Sequence, residues 1–224
     1  MTSFARPAAR PWARPVRVVI LLASAAVAFL LWLQAGGMAA LADWSQSESD
    51  GPLLVNAEHA LPHDFEEPEL VGLAGKVAVA DRDVSVSVEI EKPLLKLFKA
   101  ARKAGLKNLY VASGYRTAHE QQQLWDDSAD RSYVQPPGHS EHQTGLAVDL
   151  ADLKVGAKGF GATKAGKWLA RNSWKYGFIL RYPAGKEELT GISYEPWHFR
   201  YVGREVAEHC HDNDWVLEEY VAAL

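Results

Sequence analysis

The chain has 224 residues, 48% of them hydrophobic and 23% charged, a balance that fits one globular domain and excludes wholesale disorder. With 28 acidic against 24 basic side chains and a formal net charge of -4, it gives no reason to expect a nucleic-acid partner. Its single cysteine, Cys210, excludes an intrachain disulfide and is read as a structural or incidental residue.

The chain opens on a basic stretch with Arg6, Arg10, Arg14 and Arg17 and no acid before Val18. Val18 to Leu33 is apolar except for Ser24, and Ala40-Leu41-Ala42 follows. A basic start, an apolar middle and small residues describe a signal peptide. If Ala35 to Ala42 also enters the bilayer, the segment becomes an uncleaved anchor. Either reading exports the body, because the arginines stay on the cytoplasmic side. Residues 1–42 are therefore expected to be a signal peptide or membrane anchor. Residues 43–66 are polar, acidic and turn-rich, and form a linker and lead-in with short docked pieces at Leu53 to Asn56 and Leu61-Pro62.

The domain proper is expected over 67–224. Val84 to Ile90 alternates and predicts a strand. Pro93 is expected to open a helix at a position where its missing N–H costs nothing. Leu94, Leu97, Phe98 and Ala101 make one apolar stripe on it, and Gly105 ends it. Leu109 to Val111 predicts a strand. Thr117 with Glu120 forms a capping box for a helix through Trp125. Gly145 to Leu150 predicts a strand, Lys164 to Trp174 a helix with Trp168 and Leu169 inward, and Phe178 to Leu180 and Trp197 to Val202 further strands. Arg204 to His211 and Trp215 to Ala223 predict short terminal helices. Mixed elements without a regular βαβ repeat indicate an α+β domain: a small central antiparallel sheet flanked by helices.

Three segments carry chemistry. In Ser140-Glu-His142-Gln-Thr-Gly145-Leu-Ala147-Val-Asp149, a histidine precedes a strand that carries a carboxylate. The period of two puts Gly145, Ala147 and Asp149 on one face, and the two small residues leave room for a ligand to approach. In Glu195-Pro196-Trp197-His198, Pro196 breaks ladder pairing, so Glu195 falls in a loop and His198 on the next strand. Both can then reach one site. Two histidines and a carboxylate leave a fourth position for water, the layout of a catalytic zinc site, and a further carboxylate can serve as base. Ser113-Gly-Tyr-Arg116-Thr places an arginine at a strand end. It is either solvated or able to hold a carboxylate or an oxyanion.

Together these segments resemble the VanY-type D-alanyl-D-alanine carboxypeptidases, metallopeptidases related to the VanX dipeptidases. The likeness runs from about Leu53 to Leu224. It rests on the Ser113-Gly-Tyr-Arg116 segment, Gln121-Gln-Gln-Leu124-Trp125, the full S-x-H-x-x-G-x-A-x-D pattern from Ser140 to Asp149, Tyr176 to Pro183, Thr190-Gly-Ile, and Glu195 to Tyr201. The resemblance implies one zinc ion per chain bound by His142, Asp149 and His198, with Glu195 as general base. It implies that Arg116 contacts the substrate carboxylate or the developing oxyanion, and that Gln121 and Ser140 lie on the substrate side. His139 falls outside the pattern and His119 is incidental. The implied substrate is a peptidoglycan stem peptide ending in D-Ala-D-Ala or D-Ala, handled by a monomer in the cell envelope. L,D-carboxypeptidase or other peptidase action on the same scaffold stays open. So does a non-catalytic, zinc-stabilised wall-binding module, although such a module has no need of Glu195.

Overall fold

The structure is a computed structural model that describes residues 51–157 and 159–224. The targeting or anchoring segment read at residues 1–42 lies outside the described residues. Among the described residues no helix is long and apolar enough to cross a membrane. Pro52 to Leu224 form one compact unit.

Two short strands, β1 (Leu70–Gly72) and β2 (Ser85–Ser87), pair antiparallel ahead of the first long helix, α1 (Val88–Lys103). The strand expected over Val84 to Ile90 is thus cut short, and Pro93 lies inside the helix rather than at its start. The reason is local. Ser87 accepts a hydrogen bond from the Glu89 N–H and caps the helix, while Glu89 and Glu91 favour its positive N-terminal end. Ile90, Leu94, Leu97, Phe98 and Ala101 are buried along one face of α1. Fully burying each large apolar side chain contributes about 1.5–3 kcal/mol.

The central sheet contains β3 (Leu109–Ser113), β4 (Ala147–Asp152), β5 (Phe178–Leu180) and β6 (His198–Tyr201). All pairings are antiparallel, in the order β3-β4-β6-β5. The α+β class and the small antiparallel sheet flanked by helices are as the sequence implies. Val148 and Leu150 of β4, with Phe199 of β6, join the core cluster that α1 covers. By the period of two, Ala147 and Asp149 point the other way.

Gly145 is not part of β4. It closes the turn before the strand at φ +67°, a left-handed conformation that glycine adopts without a Cβ penalty. A side chain there would press on the backbone of Ser87, whose N–H donates to the Gly145 carbonyl at 3.0 Å. The space expected for a ligand at this glycine is therefore filled by the protein's own backbone.

The remaining helices are α2 (Ala118–Asp127), α3 (Lys164–Asn172), α4 (Glu187–Thr190), α5 (Arg204–Asn213) and α6 (Leu217–Ala222). The capping box of α2 is formed: Thr117 Oγ1 accepts from Glu120 N, and Glu120 Oε2 accepts from Thr117 N at 2.8 Å. α3 ends at Asn172, two residues short of the expected Trp174, where a tighter 3-10 turn over Ser173–Tyr176 takes over. Leu217 of α6, Ala207 and Cys210 of α5 and Ile179 of β5 build a second apolar cluster, against which Leu54 packs. Cys210 is buried there, and burial pushes its thiol up to about 11, which suits an inert packing residue.

Candidate active site

The sheet register brings the candidate residues together. Asp149 on β4 stands opposite His198 on β6 and is paired on its other side with Ser113, the last residue of β3. Residues directly opposite in an antiparallel pair share a face, so the Asp149 and His198 side chains converge. His198 opens its strand because the chain turns at Pro196-Trp197, where the His198 N–H donates to the Glu195 carbonyl at 3.2 Å. That turn sets Glu195 beside the strand rather than on it, as the proline implies.

His142 arrives from a 3-10 turn over Glu141–Thr144. Its Nδ1 donates to the Gly114 carbonyl at 2.6 Å, leaving Nε2 to face Asp149 Oδ2 at 3.4 Å. Gly114 is where β2 crosses closest: a Cβ there would strike the Ser85 carbonyl, which accepts the Tyr115 N–H at 2.7 Å. The glycine of the Ser113-Gly-Tyr-Arg116 segment thus permits the contact that orients a histidine.

His142, Asp149 and His198 each offer one ligand atom, and these atoms lie within 4.8 Å of one another. His198 Nδ1 is 3.2 Å from Asp149 Oδ1, and the two imidazoles meet edge to face at 4.9 Å. Asp149 Oδ1 is buried and accepts no hydrogen bond, alone in this among side-chain atoms of the described residues. Its lone pairs are thus left available to a cation. The donor set, two imidazoles and a carboxylate with one side open to the pocket, fits a zinc ion.

The electrostatics point the same way. Burial pushes the Glu195 carboxyl up to about 8; the nearby His198 pulls it down, and the Asp149 and Glu141 carboxylates add to the rise. Burial pulls His198 down, yet the adjacent carboxylates of Asp149 and Glu141 hold it at about 9. The rise at His198 marks carboxylates crowded around it, whose negative charge a divalent cation would neutralise. Burial lowers His142, which favours the neutral imidazole that a metal ligand must be. Burial opposes the charge on Asp149 as well, but His142 and His198 keep its carboxyl well below the usual range.

A cavity of about 190 Å³ is lined by all the residues singled out from sequence: Arg116, Gln121, Ser140, His142, Asp149, Glu195 and His198. Arg116 donates to Gln121 Oε1 at 2.8 Å and to Ser113 Oγ at 3.1 Å, which fixes its guanidinium at the pocket wall. Gln121 is itself fixed by donating to the Gln135 carbonyl at 2.6 Å. His139 is not in the cluster: its ring bonds the Asn56 carbonyl. His119 is exposed on α2 beside Gln123.

Several pocket residues were not evident from sequence. Tyr133, Tyr182, Ile192 and Trp197 form apolar walls, and Tyr182 lies 5.0 Å from the His198 ring. Glu141, next to a predicted ligand, is 2% exposed and reaches His198, Arg181 and Arg200. A signal for it existed: Arg181 directly follows β5 and Arg200 lies within β6, both among apolar neighbours, and a buried guanidinium calls for a buried partner.

A family model described as VanY, D-alanyl-D-alanine carboxypeptidase, matches residues 83–204. A D-alanyl-D-alanine carboxypeptidase of Enterococcus faecium is 37% identical over 178 residues, covering 77% of this chain and 57% of its own length. The chain spans 65% of the length of a Bacillus subtilis relative and of one from Enterococcus faecalis. Among solved structures, the LdcB LD-carboxypeptidase superposes with a TM-score of 0.69 at 39% identity, covering 75% of this chain and 84% of its own. The VanY D,D-pentapeptidase of a VanB-type resistance cassette, in complex with Zn(II), gives 0.66 at 37% identity, covering 75% of this chain and 97% of its own. With the family motifs gathered around one pocket, the chain belongs to the VanY family of D-alanyl-D-alanine carboxypeptidases.

Proposed function

We propose that the chain is a zinc-dependent D,D-carboxypeptidase that removes the C-terminal D-Ala from peptidoglycan stem peptides. The observation that carries this reading is one pocket holding His142, Asp149 and His198 within ligand distance of one another, with the Glu195 carboxylate 3.7 Å from His198 Nδ1. His142, Asp149 and His198 would hold the zinc ion, which would supply Lewis acidity toward a carbonyl and a water. Glu195 takes the proton of the attacking water and returns it to the leaving amine. Arg116, tethered by Gln121 and Ser113, pairs with the free carboxylate of the terminal residue, which favours exopeptidase action. Gln121 and Ser140 complete the substrate side, and the small cavity suits a small terminal residue. The N-terminal segment exports the domain to the cell envelope, where this substrate lies.

A second reading, L,D-carboxypeptidase action on stem peptides that end in a single D-Ala, is favoured by the likeness to LdcB at 39% identity. The two are separated by incubating the purified chain with a muramyl pentapeptide, a tetrapeptide and a C-terminally amidated pentapeptide, and weighing the products. Loss of one alanine from the free pentapeptide is expected. The amide should react about 10–100-fold more slowly, because a charged hydrogen bond worth roughly 1.5–3 kcal/mol is lost. Cleavage of the tetrapeptide alone would establish the L,D reading. Zinc binding without cleavage of any peptide would leave a wall-binding module.

A further inference from the structure

We propose that Glu141 is a positioning residue of the metal site: its Oε2 accepts from His198 Nε2–H and so fixes Nδ1 as the ligand atom. This rests on the zinc-site reading above. Glu141 is not a candidate ligand, since both its oxygens are committed away from the cluster. Oε1 accepts from Arg181 Nε at 2.7 Å and from Arg200 Nη1 at 3.1 Å, and Oε2 lies 3.1 Å from His198 Nε2.

A carboxylate between two guanidiniums is ionised and only accepts, so the His198 nitrogen facing it carries the proton. As a metal ligand the imidazole is neutral and has one ring N–H, which leaves its lone pair on Nδ1, the nitrogen turned toward Asp149 and Glu195. His142 is held in the opposite sense, with Nδ1 donating to the Gly114 carbonyl and Nε2 free. The two histidines therefore present different nitrogens, each chosen by what grips the other side of the ring.

The grip on His198 is rigid because Glu141 is itself clamped. Arg181 is fully buried and bonds both oxygens of Glu218 on α6, at 2.8 and 2.6 Å. Arg200 donates to the Leu53 carbonyl at 2.8 Å.

The test is zinc affinity of the zinc-loaded and stripped chain, measured by competition with a chromogenic chelator, alongside melting temperature. Glu141→Gln should bind zinc about 10–100-fold more weakly than wild type, the range for loss of a partner that orients a histidine ligand. Glu218→Gln loosens the same arginine network without touching His198. It should lower the melting temperature but leave zinc affinity within about twofold, as expected when the orienting contact is intact. Equal weakening in both variants, or wild-type affinity in a folded Glu141→Gln, would overturn the proposal.

Because Glu141 also neutralises two buried arginines, wild type supplies an independent readout. Long-range ¹⁵N NMR of the zinc-loaded chain should show His198 protonated at Nε2 and metal-bound at Nδ1, and the reverse assignment would refute the role. A wild-type chain that takes up no zinc would instead remove the site reading on which the role depends.

Discussion

Glu195→Gln is expected to keep its zinc and to lose about 10²–10⁴-fold in turnover, the range supplied by a positioned general base. The amide has the size of the carboxylate, so it should fill the same space beside the turn at Pro196, where the backbone is held by Glu195 N–H to the Tyr182 carbonyl and His198 N–H to the Glu195 carbonyl. It cannot take a proton from water. Because Glu195 is proposed as base rather than ligand, metal content stays at the wild-type level while kcat falls, and KM changes little. Steady-state kinetics with zinc quantification on the same sample checks both halves. Full activity in this variant would remove Glu195 as the base. Loss of zinc together with activity would make it a ligand instead.

His142→Ala should fail by a different route, through the metal. It deletes one of three candidate ligands, so zinc affinity should fall by more than the roughly 10–100-fold typical of an outer partner, and turnover should fall with it. The fold should survive, because His142 sits in a turn outside the apolar clusters and, beyond its contacts with Asp149 and His198, its side chain makes one hydrogen bond, to the Gly114 carbonyl. That bond is worth about 1 kcal/mol. Zinc stoichiometry and far-ultraviolet circular dichroism measured together separate metal loss from unfolding. An unchanged stoichiometry in the folded variant would take His142 out of the ligand set.

Much of the site was legible in the sequence because its grammar is local. Pro196 breaks ladder pairing, so a candidate base and a candidate ligand three residues apart reach one pocket, and the turn forms as that argument requires. Thr117 and Glu120 announce the start of α2, which carries Gln121 to Arg116. The failures were places where two local signals compete. Val84 to Ile90 alternates like a strand, but the Ser87 cap and the acids after it convert the second half to helix, and Pro93 is carried inside. Gly145 has the spacing of a strand residue yet serves as a left-handed turn that admits the Ser87 backbone.

Long-range pairing was the part least available from sequence. Glu141 meets Arg181 and Arg200 across 40 and 59 residues of chain, and Glu218 meets Arg181 across 37. No period or spacing reports which buried charges will be partners. Only the folded sheet does, by setting β4 and β6 side by side.

In the proposed mechanism, hydrolysis depends on one zinc ion held by His142, Asp149 and His198. That dependence is tested most directly by following alanine release from the pentapeptide after the chain is stripped with a chelator and then titrated with zinc. The stripped chain should release none, and recovery should be full and saturate at one equivalent of zinc. Undiminished release from the stripped chain would contradict it.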